Sequence, residues 1–211
     1  MDYLLEGLIK FRTEDYEEHK HLFCRLKSHQ APHTLFVTCS DSRVDPQLIT
    51  KSLPGDLFVV RNIANIIPTF TLEHEHAATT SALEYAVKVL KVKRIIICGH
   101  SNCGGCSAIH LPETVLDEIP ATKKWLLQAE SVKIRVTEEI KANGKSKDLD
   151  YREWLTEQMN IVEQIKHLLT YPYVVDAFNK KELEIIGMYY TIETGEVFIY
   201  DSHKGSFELA N

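Results

Sequence analysis

Two short segments carry the side chains best suited to chemistry. Cys39-Ser40-Asp41-Ser42-Arg43 brings together a thiol, a carboxylate and a guanidinium. His100-Ser101-Asn102-Cys103-Gly104-Gly105 brings an imidazole and a second thiol, followed by a glycine pair. Two thiolates and one imidazole are zinc ligands by softness and charge. Three protein ligands leave a fourth tetrahedral position for water, as catalytic sites do and closed structural sites do not. A carboxylate at Asp41 is placed to accept a hydrogen bond from hydroxide on such an ion, its own geometry fixed by a charge-assisted pair with Arg43. Taken singly, Cys39 and Cys103 read as ordinary buried thiols and His100 as a loop histidine. Their grouping is what points to a metal.

The elements around these segments decide whether they can meet. Short apolar runs at 34–38, 57–60 and 94–98 read as buried strands. Helical spacing covers 3–30, 75–91, 104–110, 121–142 and 150–170. Residues 183–192 and 197–200 read as a last pair of strands, turned by Thr194-Gly195 into an antiparallel hairpin. This pattern predicts one α/β domain. It has a mostly parallel sheet of about five strands with an antiparallel C-terminal edge strand, flanked by helices, and an N-terminal helical arm. Both chemical segments directly follow strands, where open α/β sheets gather their functional groups. If the first and third strands are neighbours, Cys39, His100 and Cys103 converge. Cys103 would then sit at a helix N-terminus, which favours a thiolate.

Composition narrows the functional classes. The chain has 211 residues, enough for one sizeable core. Its net charge is −6 with no long basic run, which argues against nucleic acid or anionic membranes as partners. No apolar run approaches the ~20 residues of a membrane span. The acidic start, Asp2 and Glu6, is unlike a secretory or transit leader. Five cysteines, an odd number, argue against a disulfide framework and for a reducing, cytoplasmic setting.

Cys-x-Asp-x-Arg and His-x-x-Cys-Gly-Gly, about 60 residues apart on successive strands, resemble the β-class carbonic anhydrases. Arg61-Asn62-Ile63-Ala64-Asn65, Leu83-Glu84-Tyr85-Ala86-Val87 and the strand ending around Thr194-Gly195 match the family too. The likeness spans roughly residues 30–202. It implies Zn2+ held by Cys39, His100 and Cys103, and a catalytic dyad of Asp41 and Arg43. The expected reaction is reversible hydration of carbon dioxide to bicarbonate and a proton, by zinc-bound hydroxide. By the same resemblance Gly104 offers its amide to the substrate. Gln30, Phe58, Ile63 and Tyr85 fall on the pocket positions of the plant-like branch, Gln30 reaching a neighbouring subunit's site. Another branch carries Trp and Gly where this chain has Phe36 and Thr38, so a water-bound resting form is expected. The family also implies that residues 1–30 form an arm packed on a partner subunit, that 31–211 form the catalytic domain, and that the assembly is a homodimer or homotetramer.

Two other functions share these motifs. One is hydrolysis of carbon disulfide or carbonyl sulfide on the same zinc site. The other is a zinc-stapled, bicarbonate-responsive scaffold without turnover, which has no use for Asp41 and Arg43. His33, His74 and His76 are candidate proton shuttles. Arg61 reads as structural, and Cys106 as a bystander thiol one helical turn beyond Cys103.

Overall fold

Runs of β-branched and aromatic residues build the sheet, with helices supplied by the amphipathic segments between them. In the computed structural model, residues 2–71, 76–145 and 148–210 are described. Three short helices come first: α1 (Tyr3–Thr13), α2 (Asp15–Glu18) and α3 (Lys20–Leu26). Then follow β1 (Thr34–Cys39), α4 (Pro46–Thr50) and β2 (Leu57–Asn62). A 3₁₀ turn at Ile63–Asn65 leads towards α5 (Ala77–Glu84), which tightens into a π-helical turn at Tyr85–Val89 before β3 (Arg94–His100). Helices α6 (Gly104–Ala108), α7 (Glu113–Leu116), α8 (Pro120–Leu126), α9 (Glu130–Ala142), α10 (Leu149–Leu168) and α11 (Pro172–Asn179) follow. The chain ends with β4 (Glu184–Tyr190), β5 (Val197–Asp201) and β6 (Ser206–Leu209).

The strand order is β2-β1-β3-β4-β5-β6. β2, β1, β3 and β4 run parallel, and β5 and β6 are antiparallel additions. The sheet therefore has six strands where sequence periodicity shows about five. The sixth is four residues long and follows a tight turn in which Asp201 accepts from the amides of His203 and Lys204. A run that short gives almost no period-2 signal. The region 121–142 is also not one helix, because a 3₁₀ turn at Leu127–Ala129 separates α8 from α9. Leu126, Ala129, Val132, Val136 and Ile140 are all buried across that turn, so the apolar stripe runs on unbroken. Helix α4 carries too little apolar pattern to be read from sequence. It is started by Asp45, whose carboxylate accepts from the Leu48 amide at 3.0 Å.

The main core lies between one sheet face and α10, with Leu35, Val37, Ile95, Ile97 and Ile161 at its centre. A Cβ on Gly99 would lie 2.8 Å from Ile161, so α10 seats directly on the end of β3 only because that position is bare. The opposite sheet face is thinly covered. Leu57, Val59 and Ile96 there are only partly buried around Phe36, Cys98 and Met188. The arm formed by α1 to α3 buries none of its own residues, and Leu4, Leu5, Leu8 and Ile9 are each at least half exposed.

Candidate metal centre

β1 and β3 are parallel neighbours with Thr38 opposite Cys98, so their last residues, Cys39 and His100, finish side by side. Asn102, at φ 54°, reverses the chain after β3, and Cys103 takes the N-cap position of α6. The ligating atoms of Cys39, His100 and Cys103 lie within 4.8 Å of one another, and all three residues are buried. The two sulfurs are 3.8 Å apart. His100 Nδ1 donates to the Ser101 carbonyl at 2.9 Å, which leaves Nε2 as a bare acceptor. That Nε2 is buried and has no hydrogen-bond partner among the described residues. A buried imidazole lone pair beside two thiols is a donor set that fits a metal ion of thiolate and imidazole preference.

Without a cation the sulfurs hold their protons. The hydrogen bond shared with Cys103, and then burial, push Cys39 up to about 12. Cys103 is raised as well, first by its hydrogen bond with Cys106, with burial adding to it. A bound cation inverts this preference. Cys98 is pushed up to about 12 by burial and donates to the Gly99 carbonyl; it packs with Phe36 and Met188, apart from the cluster that holds Cys39 and Cys103. Cys106 is buried too, with Asn160 Nδ2 donating to its sulfur at 3.7 Å.

Asp41 stands at the edge of this cluster, its Oδ2 3.9 Å from His100 Nε2. Arg43 grips it from outside. The Arg43 amide and Nε donate to Oδ1 at 3.0 and 2.9 Å, and Nη2 donates to Oδ2 at 2.8 Å. These bonds hold the Asp41 carboxyl well below the usual carboxylate range, so it stays ionised. Arg61 clamps the same loop from beneath, donating to the carbonyls of Cys39, Asp41 and Val44. These three bonds brace the loop that carries Asp41.

The profile of the family described as carbonic anhydrase matches residues 34–197. The chain belongs to the β-carbonic anhydrases. The carbonic anhydrase of Helicobacter pylori strain J99 is 41% identical over 205 residues, which is 96% of this chain and 91% of that one. That of Synechocystis is 38% identical over 201 residues, 95% of this chain and 71% of that one. Among solved structures, the β-carbonic anhydrase CcaA superposes with a TM-score of 0.92 at 36% identity, covering 100% of this chain and 99% of that one. A tetrameric β-carbonic anhydrase of Sordaria macrospora superposes with a TM-score of 0.78 at 32% identity, covering 92% and 93%.

The residues expected to line a carbonic anhydrase pocket are only partly assembled within one chain. Phe58 and Tyr85 meet, their ring centroids 6.0 Å apart. Tyr85 opens the π-helical turn, a distortion common at functional positions. Ile63 packs on α6, since a Cβ on Gly105 would lie 2.9 Å from Ile63 Cγ2 and from Ala64 Cβ and N. Ile63 and Tyr85 remain 41% and 44% exposed. Gln30 is exposed between α3 and β1 and makes no hydrogen bond to any of them. Gly104 begins α6, so its amide is one of the unpaired donors of a helix start, and nothing lies within 4 Å of where its Cβ would be. Of the candidate shuttles, His33 precedes β1 at the far end of the strand from Cys39, about 20 Å of extended chain away. His76 packs against Trp125, whose indole donates to the Ile63 carbonyl at 2.9 Å. His74 lies outside the described residues.

Several supporting residues escape a reading of motifs alone. Glu157 on α10 is buried and accepts from the Cys103 amide and the Tyr189 hydroxyl, each at 2.8 Å. Burial pushes it up to about 7 against those two bonds. Asn160 and Gln164, also on α10, hold the Ala64 carbonyl and the Ile67 amide at 2.8 Å. The signal was present as a polar stripe at helical spacing, 157, 160 and 164, on the face that α10 turns to the core.

Proposed function

We propose that Cys39, His100 and Cys103 bind Zn2+ and that Asp41 and Arg43 form the dyad serving reversible hydration of carbon dioxide. The observation that carries this is the unpartnered His100 Nε2, buried with two thiols and 3.9 Å from the Asp41 carboxylate. Zinc, when bound, supplies a Lewis acid that lowers the pKa of water from 15.7 to about 7. Asp41, kept ionised, is an acceptor only, so it takes a hydrogen bond from the nucleophile and sets its orientation. The bidentate grip of Arg43 engages both oxygens of that carboxylate, which supports the water-bound resting form of the plant-like branch. The Gly104 amide is placed to receive the negative charge that grows on a substrate oxygen. Phe58, Ile63 and Tyr85 offer an apolar wall for carbon dioxide, completed by Gln30 of a neighbouring subunit.

The same reading makes the working enzyme a homodimer or homotetramer. The arm of residues 1–30 would lie on a partner. Its exposed apolar stripe supports this, as does the thin cover over one face of a largely parallel sheet, since such sheets are normally covered on both faces. Among the described residues, no helix is long and apolar enough to cross a membrane. An odd number of cysteines, five, favours a reducing compartment such as the cytoplasm.

Stopped-flow hydration of carbon dioxide, with zinc content measured alongside, tests the reading. Asp41→Asn should retain zinc and lose about 10²-fold in kcat. Equal turnover by the variant would remove the dyad from the mechanism. Faster turnover of carbonyl sulfide than of carbon dioxide by the wild type would redirect the assignment to the sibling hydrolases.

A further inference from the structure

Glu193 stands outside the metal centre, in the turn between β4 and β5, yet its carboxylate reaches back to the loop that carries the centre. Oε2 accepts from Ser101 Oγ at 2.6 Å and Oε1 accepts from Asn102 Nδ2 at 3.0 Å. Ser101 Oγ also accepts from the Ile192 amide at 2.9 Å, so hairpin and loop are cross-tied. Asn102 is the left-handed residue that reverses the chain, and its carbonyl accepts from Arg43 Nη2 at 2.9 Å. That same nitrogen donates to Asp41 Oδ2. A continuous chain of contacts thus runs from Glu193 through Asn102 and Arg43 to Asp41.

We propose that Glu193 is a positioning residue for the hydration reaction: by gripping Asn102 it fixes the carbonyl that aims Arg43, and through Arg43 the Asp41 carboxylate. The proposal rests on the dyad reading given above. Arg43 has a long side chain that is 46% exposed. An exposed ion pair alone pays side-chain entropy and holds its geometry loosely. A third acceptor on a braced loop selects one orientation of the guanidinium, and a small misplacement of an orienting group is costly in rate. Ser101 has a second anchor, its amide bonding to the Tyr190 carbonyl at 2.9 Å. The Asn102 side chain is held by Glu193. Loss of Glu193 should therefore loosen the dyad while leaving His100, and with it the metal, in place.

The experiment uses the zinc-loaded full chain with Glu193→Ala and Glu193→Gln, each alone and combined with Asp41→Asn. Glu193→Ala should lower kcat about 5- to 10-fold, with KM and zinc content within about twofold of wild type. Solvent exchange of the Arg43 Nε–H, followed by ¹⁵N NMR, should quicken about tenfold. Glu193→Gln keeps one carbonyl acceptor and should recover part of both. In the Asp41→Asn background, Glu193→Ala should change kcat by less than about twofold, because a group acting through Asp41 has nothing left to position. Wild-type kcat and unchanged Arg43 exchange in Glu193→Ala overturn the proposal, and so does an equal loss in both backgrounds. If Asp41→Asn itself keeps full activity, the dyad reading is what has failed, and Arg43 exchange still reports separately whether Glu193 holds the guanidinium.

Discussion

Asp41 and Arg43 face each other through two parallel hydrogen bonds, Nε to Oδ1 at 2.9 Å and Nη2 to Oδ2 at 2.8 Å. Only a planar fork can make both at once, and Nη2 also reaches the Asn102 carbonyl. Arg43→Lys keeps the charge but supplies a single point donor. Its kcat should fall about 10-fold or more with zinc content unchanged. Stopped-flow rates on the zinc-loaded variant check this, and a kcat near wild type would mean that charge alone suffices.

Cys103 is held at its amide by Glu157 and at the start of α6 by the turn through Asn102, so its sulfur has little freedom to leave the cluster. Cys103→Ser replaces a soft thiol by a hydroxyl that stays protonated near neutrality. The variant should bind zinc at least about 10²-fold more weakly and lose hydration activity in parallel, as metal analysis after dialysis against a chelator would reveal. Full zinc occupancy in the variant would show the third ligand to be misassigned.

The clustering of Cys39, His100 and Cys103 and the pairing of Asp41 with Arg43 were legible in the sequence because these residues sit in two short motifs, each placed by a strand end. Parallel pairing of β1 with β3 needed only the apolar runs and the helices between them. The brace behind the centre was not legible in the same way. Glu157 lies 54 residues from Cys103, and Glu193 lies 91 from Asn102 and 92 from Ser101. Their function depends on which orphan donor of a helix start or loop they meet, and that is a property of packing. Likewise β6 and the turn between α8 and α9 are set by short-range geometry that leaves hydrophobic periodicity almost unchanged. Gln30 and the arm stripe are exposed in the single chain, so the contacts expected of them are not made within it.

The two glycines after Cys103 should respond differently to a methyl group. At Gly105 a Cβ would meet Ala64 Cβ, Ala64 N and Ile63 Cγ2, all at 2.9 Å. One of these is backbone, and Ala64 is itself held at φ 60°, so α6 must shift to make room. Gly105→Ala should destabilise the fold by about 1–3 kcal/mol and weaken zinc binding by displacing Cys103. At Gly104 nothing lies within 4 Å, so Gly104→Ala should fold with wild-type stability. Urea denaturation of the two variants side by side checks the contrast, and equal midpoints would mean that the contact of α6 with Ala64 is loose.

His110 follows α6 with its Nε2 2.9 Å from Thr156 Oγ1. Burial first, then the charges of Arg152 and Lys133, lower it from 6.5 to about 4. The folded chain therefore refuses a proton that the unfolded chain accepts below pH 6.5. Between pH 6.5 and 4 the unfolded state binds more protons, so stability falls as pH falls through that window and is unaffected above it. By pH 5 this histidine should cost about 1–2 kcal/mol relative to pH 7. His110→Gln, which has no proton to gain, should narrow the difference in unfolding free energy between pH 7 and pH 5 by that amount. An identical difference in wild type and variant would show that the imidazole takes its proton in place.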